Sequence, residues 1–266
     1  VTDWSTYDTI ADRYDAVWGP RFEAVARLVW QTVNPTRGAS ILDIGTGTGI
    51  VPRSLAGPAT DLAIATGLDR SVGMLEVARS RMPTLRAVAG DAVSLPFRDA
   101  AFDVATASFI LSHLVEYPTG LAEVRRVLKP GGVLAITSWA AGEDGPSQAW
   151  SRLLAGTVSR ERIQSAFTRV APSMLHFEDP AGVERALTGV GFTNVTVEAH
   201  SIESRLSVDQ FIADRELTSG ARYARYVTGP DPWNRLLDRA RAELERSFGR
   251  QFTFSRGALI GVGRKG

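Results

Sequence analysis

Ser40-Ile41-Leu42-Asp43-Ile44-Gly45-Thr46-Gly47-Thr48-Gly49-Ile50 is the stretch on which the fold turns. Ser40 to Ile44 is a short apolar run that reads as a buried strand. It ends in glycines at alternate positions, and Ile50 to Leu55 can then start a helix whose first amides face the glycine loop. Glycine allows backbone conformations closed to other residues and lets a ligand come close to the main chain, so something adenosine-like fits here. Dinucleotide dehydrogenases also carry glycines after their first strand, but spaced Gly-x-Gly-x-x-Gly, whereas this loop is Gly-x-Gly-x-Gly.

Outward from the loop, strand and helix alternate. Leu62 to Leu68 reads as a second strand closed by Asp69, and Met74 to Met82 as a helix. Leu85 to Ala89 is a third strand before Gly90-Asp91, Phe102 to Phe109 a fourth, and a helix follows from about Thr119 to Val127. Lys129-Pro130-Gly131-Gly132 turns the chain into a fifth strand, Val133 to Ser138. Repeated strand-then-helix units imply a mostly parallel sheet covered on both faces. Upstream, Tyr7 to Val33 has a helical rhythm interrupted at Gly19-Pro20 and predicts two amphipathic helices. From Ala140 to about Leu187 the strand rhythm stops, and helical stretches anchored by Trp150, Leu153, Leu154, Ile163, Phe167 and Leu175 suit an inserted cap. Phe192 to His200 alternates like a strand, Val208 to Phe248 is largely helical, and Phe252 to Val262 reads as the last strand.

Bulk properties narrow the classes. Among 266 residues, 30 Lys and Arg against 29 Asp and Glu leave a net charge of +1, so there is no strong pull towards phosphate backbones or anionic lipid. The late helices carry Arg205, Arg215, Arg222, Arg225 and Arg235, but acidic neighbours dilute them into a solvated face, and no nucleic acid partner is expected. The chain has no cysteine, which excludes disulfides, thiolate zinc ligands and a cysteine nucleophile; no metal site is expected. No apolar run reaches the roughly 18 to 20 residues of a membrane span. Val1 to Trp18 carries Asp3, Asp8, Asp12, Arg13 and Asp15 instead of a signal peptide's apolar stretch, so a cytoplasmic location is expected. Nothing in the sequence sets an oligomeric state.

Two further carboxylates fall at strand ends. Asp69 lies 20 positions after Gly49, where a carboxylate can accept hydrogen bonds from both hydroxyls of a ribose. Asp91 follows Gly90, in the position to meet an adenine amino group. The motifs in order are Asp43 to Gly49, Asp69, Gly90-Asp91-Ala92, Phe102-Asp103 leading into Ser108-Phe109, and Leu128 to Gly132. In that order the chain resembles the class I S-adenosylmethionine-dependent methyltransferases over about Tyr7 to Trp139. The resemblance is strongest to the branch of ubiquinone and menaquinone C-methyltransferases and natural-product O-methyltransferases.

The resemblance implies an α/β fold with a doubly wound, seven-stranded, mostly parallel Rossmann-like sheet and helical cap insertions. Residues 1–266 would form a single domain, its core at about 36–140, 187–200 and 250–264 and its cap at about 1–35, 141–186 and 205–248. It also implies S-adenosylmethionine as cofactor, with S-adenosylhomocysteine as product. Gly45, Gly47 and Gly49 would bend under the methionine and ribose, Asp43 would help hold the amino-acid end through water, and Asp69 would take the ribose. Asp91 and the Ala92 backbone would hold adenine, Leu68, Arg70 and Met74 would flank the rings, and the Ser108 carbonyl would receive the ammonium. Tyr7 and Tyr14 look like the N-terminal lid of the same branch.

Methyl transfer from a sulfonium is an in-line displacement whose leaving group needs no acid, so most of the catalysis is alignment. An acceptor hydroxyl or activated carbon must still lose a proton. His113, a few residues beyond the fourth strand, is the candidate base; the alternative is that it packs against or caps the next helix. Tyr7, Trp139 and His176 are candidate contacts to a small-molecule acceptor, with ordinary core packing as the alternative for each. A competing reading keeps the cofactor site but assigns a non-methylating reaction or a regulatory role, because no base is unambiguous.

Overall fold

The computed structural model describes residues 4–55 and 64–266. In chain order its helices and strands are α1 (Ala11–Val33), β1 (Ser40–Ile44), α2 (Ile50–Leu55), β2 (Ile64–Asp69), α3 (Val72–Arg81), β3 (Arg86–Ala89), β4 (Phe102–Ser108), α4 (Tyr117–Val127) and β5 (Leu128–Trp139). There follow α5 (Gly145–Ala155), α6 (Arg160–Val170), α7 (Met174–Phe177), α8 (Pro180–Gly189), β6 (Phe192–Ser207), α9 (Val208–Glu216), α10 (Ser219–Thr228), α11 (Pro230–Phe248) and β7 (Gln251–Lys265). Short 3₁₀ turns precede α1, at Asp8–Ile10, and follow β4, at Leu111–His113. Leu62 and Ala63, where the predicted second strand begins, lie outside the described residues.

The strands form one seven-stranded sheet in the order β3-β2-β1-β4-β5-β7-β6. β1 pairs in parallel with β2 and β4, as do β2 with β3 and β4 with β5, while β7 runs antiparallel to β5. This is the mostly parallel, doubly wound sheet expected from the strand-helix alternation. Parallel neighbours require a crossover element between strands, and α2, α3 and α4 supply it.

The chain divides into two compact units. The sheet unit comprises residues 7–141, 173–200 and 257–266; the helical unit comprises the described residues 4–6 with 142–172 and 201–256. In the sheet unit, Leu42, Ile44, Leu68, Leu134 and Ile136 pack with Leu121 and Val124 of α4 and with Val183 and Leu187 of α8. In the helical unit, Trp150 of α5, Phe211 of α9, Ala221 and Ala224 of α10, Trp233, Leu236 and Leu244 of α11, and Phe254 form a separate core. Trp150 and Trp233 meet edge to face there at 6.2 Å.

One expectation fails in an instructive way. Gly19-Pro20 does not split the N-terminal segment: α1 is a single helix of 23 residues with Pro20 inside it. Proline removes a helical hydrogen bond and costs about 3 kcal/mol in a helix interior. Here Pro20 and Ala16, whose carbonyl loses its partner, are both exposed, so water can satisfy that carbonyl. The buried stripe of Phe22, Val25, Ala26, Val29 and Trp30 stays in phase with Ala11 and Asp15 across the proline. Burying each large apolar side chain contributes about 1.5 to 3 kcal/mol, enough to outweigh the break.

The Lys-Pro-Gly-Gly segment also behaves differently from a simple entry turn. β5 already begins at Leu128, and its pairing with β4 jumps from Phe102↔Leu128 to Val104↔Val133, so Lys129 to Gly132 bulge out of the ladder. Gly131 takes φ +74° there. The bulge brings Lys129 Nζ within 2.8 Å of Asp103 Oδ2, which also accepts from the Ser40 N–H at 2.9 Å and the Ser40 hydroxyl at 2.7 Å. Asp103 and Lys129 thus tie together the N-terminal end of β1 and the β4–β5 pair.

Because the proline position is exposed, Pro20→Ala should restore the missing helical bond without a clash and raise stability by about 1 to 3 kcal/mol. Urea unfolding monitored by tryptophan fluorescence would measure it; a lowered midpoint would contradict this account of α1.

Candidate functional site

All the candidate residues lie in the sheet unit. The parallel register sets Asp43 and Ile44 of β1 beside Gly67 and Leu68 of β2, and Leu68 and Asp69 beside Val88 and Ala89 of β3. Ser108 closes β4 opposite Thr137 of β5. The carboxyl ends of the strands therefore share one rim, where ligands bind in open α/β sheets.

The loop from Gly45 to Gly49 crosses that rim. Gly45, Gly47 and Gly49 have φ of +67°, +53° and +76°, in the left-handed region that side chains resist. A Cβ on Gly45 would sit 2.8 Å from Ile110 Cβ, so that position needs glycine for space as well. A Cβ on Gly47 would meet nothing within 4 Å, which leaves the backbone there bare on its open side. The loop is held by the Thr46 N–H donating to Leu68 O at 3.0 Å and the Gly47 N–H donating to Asp69 Oδ2 at 2.8 Å.

Asp69 accepts a second bond on Oδ1 from the Ser71 N–H at 2.9 Å. Burial raises its pKa, and these backbone donors oppose the rise. Asp43 is 1% exposed and accepts from the Thr106 hydroxyl at 2.6 Å on Oδ1, while its buried Oδ2 has no hydrogen-bond partner among the described residues. Burial pushes the Asp43 carboxyl up to about 7, against the pull of the Thr106 and Thr46 hydroxyls and reinforced by the charge of Asp69. The hydroxyls of Ser108 and Thr137 are likewise buried without hydrogen-bond partners among the described residues. Such orphaned polar atoms are rare unless something else satisfies them.

Beside the loop is a partly open cleft lined by Gly45 to Thr48, Ser108 and Phe109 with Tyr14, Phe22 and Val25 of α1. Burial raises the Tyr14 hydroxyl pKa well above its usual value, helped by the charges of Tyr7, Asp69 and Asp15. Phe109 adopts φ +57°, a strained conformation for a bulky residue, and stacks on Trp139 with centroids 4.2 Å apart. Phe22 closes on both rings, at 5.1 Å and 5.9 Å.

The other predicted residues are distributed as follows. Met74 is buried with Ala11 and Val77, and Tyr7 and Tyr14 pack on them. Arg70 is exposed at the end of β2. Asp91 accepts from the Val93 N–H at 3.1 Å in a turn just beyond β3, and the Ala92 side chain is core. His113 sits on the 3₁₀ turn after β4, its ring edge-on to Tyr7 at 6.4 Å. His176 of α7 stacks on Tyr117 at 5.0 Å, with Nε2 3.2 Å from the Tyr117 hydroxyl, so it is packed into that pair and not aimed at the cleft lining.

Sequence reasoning passed over Asp15. It is 7% exposed and accepts from the Thr48 hydroxyl of the glycine loop at 2.8 Å, with Arg53 of α2 at 2.9 Å and Arg81 of α3 at 3.1 Å. The available signal was an acid standing on the apolar stripe of α1, four residues after Ala11 and seven before Phe22.

The family model described as a methyltransferase domain matches residues 42–136, which hold the glycine loop and the strand-end carboxylates. A demethylmenaquinone methyltransferase of Renibacterium salmoninarum is 32% identical over 200 residues, covering 71% of this chain and 83% of that protein. A malonyl-[acyl-carrier protein] O-methyltransferase of Pseudescherichia vulneris is 32% identical over 191 residues, 66% of this chain and 74% of its own. Among solved structures, a Haemonchus contortus phosphoethanolamine N-methyltransferase 2 in complex with phosphomonomethylethanolamine and S-adenosylhomocysteine superposes with a TM-score of 0.62 at 19% identity, over 97% of this chain and 57% of that one. The chain belongs to the class I S-adenosylmethionine-dependent methyltransferases, in the branch that contains the quinone C-methyltransferases. It is a methyltransferase enzyme, and S-adenosylmethionine is its cofactor. Among the described residues no helix is long and apolar enough to cross a membrane.

The buried Asp43 yields a pH prediction. A folded-state pKa near 7, above the unfolded value near 3.8, means the folded protein holds the proton more tightly. That contribution to stability is complete below about pH 4 and is lost as pH rises through 7. Asp43→Asn should remove this slope, on the order of a few kcal/mol. Unfolding midpoints of both proteins between pH 4 and pH 8 would show it, and parallel pH profiles would refute it.

Proposed function

We propose that the protein transfers the methyl group of S-adenosylmethionine to a small organic acceptor of the quinol, phenol or related natural-product class, with both ligands bound at the glycine-loop rim. The observation that carries this reading is the cleft itself, which combines a bare glycine backbone, orphaned buried oxygens and a stacked aromatic wall. The match to a demethylmenaquinone methyltransferase supports a ring-bearing acceptor.

The fit to the cofactor rests on chemistry. The unpartnered Oδ2 of Asp43 and the Ser108 end of β4 offer acceptors to an ammonium group, the Ser108 carbonyl directly and Asp43 through water. Asp69 accepts from the backbone N–H groups of Gly47, Ser71 and Arg70, and its two oxygens together have more acceptor sites than these three donors fill, which leaves capacity for a ribose hydroxyl. Asp91, with the Ala92 main chain, sits one strand further along the rim, where adenine would lie, flanked by Leu68, Arg70 and Met74. The bound cofactor supplies an electrophilic methyl on a positively charged sulfur that departs as a neutral thioether.

The chain's own task is then to align and to move one proton. Tyr14 and the loop backbone exclude water from the sulfonium side, and Phe22, Phe109 and Trp139 hold the acceptor ring flat. Tyr7 borders both Tyr14 and His113, and in this reading His113 is the group that takes the acceptor proton.

Calorimetry should show that the protein binds both S-adenosylmethionine and S-adenosylhomocysteine; binding of neither would sink the reading. Asp69→Ala should weaken both by about 10- to 100-fold, since it removes charge-assisted bonds and frees the Gly47 loop. With labelled cofactor and a panel of hydroquinones, phenols and acyl thioesters, transfer is expected to the ring compounds. His113→Ala should lower turnover by about 100-fold or more, in line with loss of a general base, while cofactor affinity holds.

A further inference from the structure

The charged group of the sheet unit that the reaction does not use is Asp15. It is almost fully buried on α1, yet it engages three other elements: the glycine loop through the Thr48 hydroxyl, α2 through Arg53 and α3 through Arg81. Arg53 closes the circuit by donating from Nη1 to Thr48 O at 3.2 Å, and the Nη2 that meets Asp15 also approaches Glu23 at 3.6 Å. Thr48 itself is 0% exposed, so its hydroxyl has been taken out of water to meet this carboxylate. A second carboxylate from the same segment, Asp8, accepts from the Ser71 hydroxyl at 2.6 Å and the Gly73 N–H at 3.0 Å at the start of α3. Tyr7, Ala11 and Tyr14 of the same segment pack on Met74.

We propose that Asp15 is a positioning residue that locks α1 onto the glycine loop and thereby sets how long the cofactor stays bound. The inference rests on the cofactor site assigned under Proposed function. Tyr14 is the neighbour of Asp15 and lines the cleft; Thr48 lines it from the other side. Asp15 spans the two, so the cleft can open along this edge only if the buried Asp15–Thr48 bond breaks. A break would leave the buried Thr48 hydroxyl without its acceptor while Arg53 and Arg81 still hold the carboxylate, a cost that favours the closed edge. The ties to Arg53 and Arg81 keep the carboxylate aimed, and they pass the same constraint to α2 and α3.

Asp15→Asn removes the charge that Arg53 and Arg81 meet. Thr48→Val removes only the hydroxyl that bonds it, at nearly constant volume, and serves if the first variant does not fold. For both, stopped-flow release of S-adenosylhomocysteine should accelerate at least tenfold. KM for S-adenosylmethionine should rise by a similar factor, and turnover at saturation should fall by less than threefold. Amide hydrogen exchange in the unliganded proteins should speed up over residues 11–19 and 45–50 while β4 and β5 keep their protection. Wild-type release rates and wild-type exchange in a folded Thr48→Val protein would overturn the proposal, as would a loss confined to saturated turnover. If the wild-type protein binds no S-adenosyl compound, the functional reading fails on its own, and hydrogen exchange still decides whether Asp15 locks the helix.

Discussion

The glycine loop can exist as drawn because one carboxylate holds it. Asp69 ends β2 and bonds the Gly47 N–H from one oxygen and the Ser71 N–H from the other, so the turn after β1 and the start of α3 are fixed to the same point. Three left-handed glycines would otherwise be the loosest part of the chain, since glycine loses more conformational freedom on folding than any other residue. The parallel register of β1 with β2 places Asp69 where it can do this, and the Thr46 bond to Leu68 repeats the tie one residue away. Loop, carboxylate and helix start therefore stand or fall as one piece.

At the opposite end of β1 a second lock works on the sheet itself. Asp103 gathers the Ser40 main chain, the Ser40 hydroxyl and Lys129, and the bulge from Lys129 to Gly132 exists to deliver that lysine. Burial nudges the Asp103 pKa up, but its bonds to Lys129 and Ser40 hold it below the usual range. A pattern that carries family resemblance thus serves architecture at one end of the sheet, while Asp43 and Asp69 stand at the carboxyl ends of their strands at the other.

Much of this was legible beforehand because it is local. Alternating strands and helices, the glycine run and the acids at strand ends each rest on a few neighbouring residues, and the sheet order follows from parallel pairing with short crossovers. What escaped depends on burial. Gly19-Pro20 reads as a break to any rule of propensity, and only the apolar stripe carried through by Phe22, Val29 and Trp30 keeps α1 whole. Asp15 is one of several acids in the N-terminal segment, and its partners, Thr48, Arg53 and Arg81, are 33 to 66 positions away. His176 is similar, since its bond to Tyr117 spans 59 positions. Strand lengths were also underread, as β6 continues to Ser207 and β7 to Lys265.

The Phe109 and Trp139 rings stack at 4.2 Å with an interplanar angle of 26°, and Phe22 leans on both. Rings packed this closely have already surrendered their rotamer freedom, so a guest settling against them imposes little new ordering on the protein. Under the function proposed above, such a wall would select by flatness: a planar molecule gains contact over its whole face, whereas a puckered one of equal volume touches at a few atoms and gains correspondingly less dispersion energy.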